Sequence, residues 1–367
     1  MTANVFLTEQ IKKLSDLYDV TVIANLSSKK HLLKEISKFA NIKNIPIKRE
    51  IELFNDLKAL LLLMLYLNRE KFSLVHSVSP KAGFIAMLAS WLVRVPVRIN
   101  TYTGQPWATR KGLIRNFLRI FDKVIYILAT KILVDSNSQL TFLQNNKIIS
   151  KSKSKAMVIG EGSISGVDLN RFKVDSQVRS LMRKKLGNNK STFILLFVGR
   201  IKKDKGILDL LKAFSIVHQE YKDSALWCVG PDEDGLREEL EFEEGVSVFP
   251  YTEEPENYMT AADLFCMPSY REGFGTAVIE AAACGIPSIG TNIYGLVDAV
   301  VDGKTGIIIE SKDYLALTSS IIMLIENEKL RKTMGKAAKL RAHESFSNDF
   351  FTKEIIKLYK ILIQNSS

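Results

Sequence analysis

The chain has 367 residues, of which 46% are apolar, 25% charged and 9% aromatic, proportions that exclude collagen-like, coiled-coil and largely disordered chains. The formal charge of +11 is uneven: residues 1–172 carry 26 Lys and Arg against 12 Asp and Glu, whereas residues 173–367 carry 25 against 28. Three cysteines, each in an apolar run, suggest no disulfide framework, and a reducing cytoplasm is the simpler inference.

In chain order, the pattern opens on a helix at 5–17 and a strand at 20–24. Further strands are predicted at 72–78, 95–101, 131–135 and 156–160, with helical periods at 52–68, 81–93, 113–129 and 139–145 between them. After a polar stretch at 168–189 the scheme repeats, with strands at 192–199, 225–230, 246–249, 263–267, 287–290 and 305–310. Such alternation predicts an α/β protein of parallel sheets with helices on both faces. Two successions predict two doubly wound, Rossmann-like domains facing a central cleft, at 1–172 and 173–345. A last helix within 346–367 is expected to cross back to the first domain. Ligands in such sheets bind at the carboxyl ends of the strands. A doubly wound unit ordinarily begins with a central strand, and none precedes the first helix. The expectation is that the sequence begins downstream of its natural start and that the first domain is poorly stable without that strand.

The most apolar stretch, 57–67, is far short of the roughly 20 residues needed to span a bilayer. Residues 1–10 lack the basic region and apolar core of a signal peptide. A cytoplasmic protein that touches a membrane without crossing it is expected. A basic half attracts nucleic acid as well as anionic membranes, but no nucleic-acid module is recognisable, so nucleic acid is not expected as a partner.

The richest segment is 268–287, PSYREGFGTAVIEAAACGIP. A strand ends in a loop holding Gly273 and Gly275, and a helix starts near Thr276. The first N–H groups of a helix are unpaired and its dipole favours an anion, while glycine lets the backbone approach a phosphate. Glu272 and Glu280 flank the loop, about 12 Å apart if the span is helical. One carboxylate would then serve the ribose of a nucleotide and the other a sugar; an exposed Glu272 beside Arg271 and a merely polar Glu280 are the alternative.

The second segment is the buried-strand pattern TFILLFVG, closed by Gly199 and Arg200 and followed by Lys205 and Gly206. Two fixed cations at a strand's carboxyl end can clamp a diphosphate and stabilise the charge that builds as it leaves. Lys202 and Lys203, in the intervening turn, read as solvated, and Lys205 could equally be a surface residue at a helix start.

This order of motifs, with Gly285-Ile-Pro, LVHSVSPKAG at 74–83 and GSISGVDLNRF at 162–172, resembles the retaining nucleotide-sugar glycosyltransferases of family 4 over residues 70 to 365. TYTGQPWATRKG at 101–112 further resembles the branch that builds capsule and O-antigen repeat units on a lipid carrier. The resemblance implies a GT-B fold and a hexosyl- or N-acetylhexosaminyltransferase that needs no metal or other cofactor. It would take a nucleotide-diphosphate sugar, a UDP-sugar above all, and a polyprenyl-pyrophosphate-linked glycan at the cytoplasmic face of the inner membrane. By motif position it assigns Arg200 and Lys205 to the donor's diphosphate and Glu272 to the sugar hydroxyls, these three forming the catalytic set. Glu280 is assigned to the ribose, and Gly199, Gly273, Phe274, Gly275 and Thr276 to further donor contacts. Where many members carry a sugar-contacting histidine, this sequence has Tyr102, Thr103 and Gly104, so that role passes to no residue here. Acceptor contacts are expected from Thr103, Gly104, Trp107, Arg110 and Lys111, with Trp107 either stacking on a sugar or anchoring at a membrane.

The basic residues Lys111, Arg115, Arg119 and Lys123, interleaved with apolar ones, describe either a helix on an anionic surface or a core helix with a solvated basic face. His76 reads as a satisfied buried histidine. Two other classes stay open: a nucleotide-sugar epimerase of the same fold and a catalytically silent scaffold subunit.

Overall fold

The computed structural model describes residues 7–26, 34–48, 52–152 and 155–366. The first two residues of the helix predicted at 5–17 lie outside them. From the N-terminus run α1 (Thr8–Ser15), β1 (Thr21–Ala24), β2 (Asn41–Asn44), α2 (Leu53–Glu70), β3 (Leu74–Ser77), α3 (Pro80–Leu92) and β4 (Val97–Tyr102). Then come α4 (Gly112–Leu128), β5 (Lys131–Val134), α5 (Asn137–Asn145), β6 (Ala156–Met157), α6 (Ser176–Lys185), β7 (Phe193–Val198), α7 (Ile207–Glu220) and β8 (Ser224–Val229). The chain continues through α8 (Arg237–Glu241), β9 (Val246–Phe249), α9 (Pro255–Ala261), β10 (Leu264–Met267), α10 (Thr276–Ala283), β11 (Ser288–Thr291), α11 (Leu296–Ala299) and β12 (Gly306–Ile309). It ends on α12 (Tyr314–Glu326), α13 (Glu328–Ser345) and α14 (Asn348–Gln364). Among the described residues no helix is long and apolar enough to cross a membrane.

The chain divides into two units. One comprises Met1–Ser165 with Asn348–Ser367, the other Gly166–Ser347. The first boundary falls before the GVDLNRF motif rather than at 172, because Val167 donates its N–H to the Phe346 carbonyl at 2.7 Å and Arg171 pairs with Glu256 at 2.7 Å, all within the second unit. Nor is the polar stretch 168–189 a bare linker. Asp175 caps α6 by accepting from the N–H groups of Gln177 and Val178, and Arg179 and Arg183 on that helix both bind Asp263.

The first unit contains two separate parallel sheets, β1–β2 and β3–β4–β5–β6. They are linked by side chains: Ile23 of β1 and Val75 of β3 pack on one cluster with Ala59, Leu63 and Leu67 of α2. The closing helix α14 belongs to this unit, where Tyr359 bonds His76 and Asp349 pairs with Lys13.

The second unit is a six-stranded parallel sheet in the order β12–β11–β10–β7–β8–β9. The run TFILLFVG reads as continuously apolar because both faces are covered. Phe193, Leu195 and Phe197 pack beneath α7 and α12, and Ile194 and Leu196, on the opposite face, are fully buried as well. From β7 the chain runs outward to β8 and β9, returns to β10 beside β7, and then runs to the other edge. The strand order therefore reverses between β7 and β10, and a crevice at such a switch point is where open α/β sheets bind ligands. Both segments rich in chemistry emerge there.

Candidate active site

Register brings the two segments together. Leu195 of β7 pairs with Leu264 of β10, so both strands end side by side. Past β7, Gly206 adopts φ +69°, and a Cβ there would lie 2.0 Å from the Pro268 carbonyl oxygen at the end of β10. Only glycine permits that approach. It seats Lys205 against the loop after β10, where its Nζ donates to Glu272 Oε1 at 2.6 Å and Ser269 Oγ donates to the same oxygen at 2.8 Å. Lys205 and Glu272, 67 residues apart in sequence, form a largely buried pair, 12% and 14% exposed. An ammonium has three donors, and this pair uses one.

Arg200 follows directly on Gly199 at the end of β7. Its Nη1 donates to Glu233 Oε2 at 3.0 Å, a partner that sequence patterning does not reveal. Lys202 shares Glu233 and Asp234 at 3.6 Å, and Lys203 is exposed, as expected of the turn.

The loop after Glu272 ends on Gly275, whose φ is +85° and which leads into α10 at Thr276. Gly295, at the start of α11, backs onto the Gly273 carbonyl, where a Cβ would lie 2.6 Å away. These constraints hold the start of α10 beside the pair from Lys205. The Phe274 side chain is a different matter. It is 2% exposed and packs on Phe346 with centroids 5.3 Å apart, so only its backbone is available to a ligand.

Glu280 lies about one turn into α10. Burial pushes its carboxyl up to about 7, Glu256 pushes in the same direction, and Arg171 opposes them. Arg171 in turn donates to Glu256 at 2.7 Å and to the Glu253 carbonyl. Arg171, within the GVDLNRF motif, thus stands in the field of Glu280, a part that its sequence position does not reveal.

A family model for glycosyl transferases group 1 matches residues 178–341. The capsular polysaccharide biosynthesis glycosyltransferase CapM of Staphylococcus aureus is 33% identical over 357 residues, 95% of this chain and 91% of CapM. The chain belongs to the group 1 glycosyltransferases. A UDP-Gal:alpha-D-GlcNAc-diphosphoundecaprenol alpha-1,3-galactosyltransferase of Escherichia coli is 26% identical over 329 residues, 86% of this chain and 82% of the relative. Among solved structures, Anabaena HepE in complex with UDP and glucose superposes with a TM-score of 0.79 at 19% identity, covering 98% of this chain and 96% of HepE. The fold is GT-B, as the motifs imply.

In the first unit of this glycosyltransferase, Thr103 is partly exposed, Gly104 is buried, and Arg110 and Lys111 are exposed. Trp107 does not stand in an open loop. It is fully buried, donates from Nε1 to Asp122 Oδ2 at 2.6 Å and stacks on Phe142 at 5.1 Å. Neither sugar stacking nor membrane anchoring is open to it, and its place is in the core. His76 is the satisfied histidine expected, bonded at Nδ1 to the Tyr359 hydroxyl at 2.6 Å and at Nε2 to Thr101 Oγ1 at 2.7 Å. Burial lowers its pKa to about 4, which keeps it neutral at physiological pH.

Proposed function

We propose that this glycosyltransferase moves a sugar from a UDP-sugar to a polyprenyl-diphosphate-linked glycan during capsule or O-antigen assembly, with retention of anomeric configuration. The observation that carries the reading is the Lys205–Glu272 pair beside the glycine-bound start of α10, at the switch point of the second sheet. The ammonium and the helix start offer positive charge to the diphosphate, and Glu272 accepts from sugar hydroxyls. The names of CapM and of the E. coli galactosyltransferase, and the UDP and glucose bound by HepE, support the substrate classes.

In the reaction, the bond between the anomeric carbon and the diphosphate oxygen breaks and the electron pair leaves with the nucleotide. Arg200, Lys205 and the first N–H groups of α10 stabilise the charge that develops on it. The acceptor hydroxyl attacks from the face the nucleotide leaves, and its proton passes to the departing diphosphate oxygen. These protein groups supply the positive charge without a divalent cation, so activity is expected to survive EDTA.

Incubation with a panel of UDP-sugars and a lipid-extracted acceptor, read by mass spectrometry and by the anomeric coupling of the product, tests the reading. A lipid-linked α-glycoside from an α-configured donor is the expected product. Interconversion of free nucleotide sugars without acceptor would make the protein an epimerase, and donor binding without turnover would make it a scaffold; either result overturns the proposal.

Glu280 gives the reaction an expected pH dependence. An ionised carboxylate accepts hydroxyl hydrogen bonds better than a neutral one. With Glu280 raised to about 7, the ionised fraction grows as pH rises through that value. The donor's KM should therefore fall between pH 6 and 8, and Glu280→Gln should remove the inflection while raising KM by roughly tenfold. An unchanged profile in the Gln variant would take Glu280 out of donor binding.

A further inference from the structure

We infer that the outward face of α2 and α4 in the first unit is a docking surface for an anionic lipid bilayer. The helix α4 turns Ile125, Leu118 and Leu128 to the core, yet it also carries a second apolar side that nothing among the described residues of the unit covers. Polar groups share the inner side: Asp122 is bonded to Trp107, and the guanidinium groups of Arg115 and Arg119 lie 5.7 and 5.5 Å from the Trp107 ring. Arg119 Nη2 also donates to the Asn146 carbonyl at 2.6 Å. Its outer side presents Leu113, Phe117 and Ile120, which are 87%, 51% and 58% exposed. An ordinary surface helix buries its apolar stripe and solvates the polar one. Here the fold forgoes about 1.5–3 kcal/mol for each apolar side chain left outside.

The second helix repeats the feature. Ala59, Leu63 and Leu67 face the core from α2, while Phe54, Leu57 and Leu65 are 91%, 56% and 69% exposed at helical spacing. Both helices pack against α3, which places the two stripes on one helical layer. Isolated exposed leucines need no explanation, but a patch of this extent on one layer marks an interaction surface.

Charge decides the occupant. The exposed lysines Lys58 and Lys123 stand on the same two helices, and the exposed Lys111 caps the start of α4. The sole acid of α4, Asp122, is buried. On α2, Asp56 pairs with Lys81 and Glu70 with Arg69. Apolar side chains flanked by unmatched lysines suit the headgroup boundary of an anionic membrane, with the helices lying on it rather than spanning it. A second copy of the chain would set basic face against basic face across a two-fold axis, which is unfavourable.

This inference goes beyond the transfer reaction and is tested without substrates. The full chain is mixed with vesicles of phosphatidylcholine containing phosphatidylglycerol, and in parallel with pure phosphatidylcholine vesicles, and binding is read by co-sedimentation. Preferential binding to the anionic vesicles, weakened by salt, is expected, with a loss of roughly tenfold or more in the Phe117→Glu, Ile120→Glu double variant and in Leu57→Ser, Leu65→Ser. Both variants should keep the wild-type circular dichroism and UDP affinity, since their substituted side chains are exposed and lie in the first unit. Absence of vesicle binding, equal binding to neutral vesicles, or undiminished binding by both variants would overturn the inference. So would a wild-type dimer that the variants abolish. None of these outcomes bears on transfer to a detergent-solubilised acceptor, which tests the proposed reaction separately.

Discussion

Replacing Lys205 by alanine is expected to lower kcat/KM for sugar transfer by roughly 10²–10³-fold, the cost of removing one fixed charge from a developing anion in a water-poor site. Lys205 is suited to the role because it is held, not merely present. The close approach of Gly206 to Pro268 fixes its backbone, and Glu272 fixes its ammonium at 2.6 Å. The same substitution breaks a largely buried pair but leaves Glu272 with Ser269 as a hydrogen-bond donor, so a stability loss of about 1–3 kcal/mol is expected beside the loss of rate. Lys205→Arg keeps the charge on a longer, planar head and should recover part of the rate. Initial rates with saturating acceptor, alongside UDP titration, check the expectation. A Lys205→Ala enzyme with wild-type turnover would remove the residue from the catalytic set.

The largest stability effect is expected at Asp263, outside the site. Its carboxylate accepts from Arg179 Nη2 at 2.5 Å, Arg183 Nη2 at 2.6 Å and the Ile194 N–H at 2.8 Å. One side chain thereby ties α6 to the first residues of β7 and β10. The Arg183 side chain is only 4% exposed, and Asp263→Ala would leave its guanidinium charged, buried and without a carboxylate. Breaking a buried pair by removing one partner costs about 3–5 kcal/mol. Urea unfolding should show a loss of that order for Asp263→Ala and a smaller one for Asp263→Asn, which keeps an acceptor oxygen. A loss below about 1 kcal/mol in the alanine variant would mean that α6 is held by its other contacts, such as the Arg183 Nε bond to the Ala261 carbonyl.

Much of the second unit is legible in the sequence because its strands are apolar and closed by turn residues, and because the glycines that force Lys205 and Glu272 together stand inside recognisable motifs. The gaps have physical causes. The strand β2, with sequence NIKN, has a single apolar residue, Ile42, and gains its identity from pairing with β1. Partners such as Glu233 for Arg200 and the Arg171–Glu256 pair near Glu280 come from distant segments, and no local spacing encodes them. The period of α4 is plain from its residues. Which polar groups join Ile125 on the inner side is decided by Trp107 and Asn146, distant in sequence, so Asp122 and Arg119 turn inward and Trp107 is held in the core.

A crystal structure of the protein with UDP bears most directly on the claim that the second unit holds the donor's diphosphate. The expected result places both phosphates within hydrogen-bond reach of Arg200, Lys205 and the backbone at Gly275 and Thr276, with the ribose at Glu280. Phosphates bound elsewhere, with Lys205 and the start of α10 left out of contact, would contradict it.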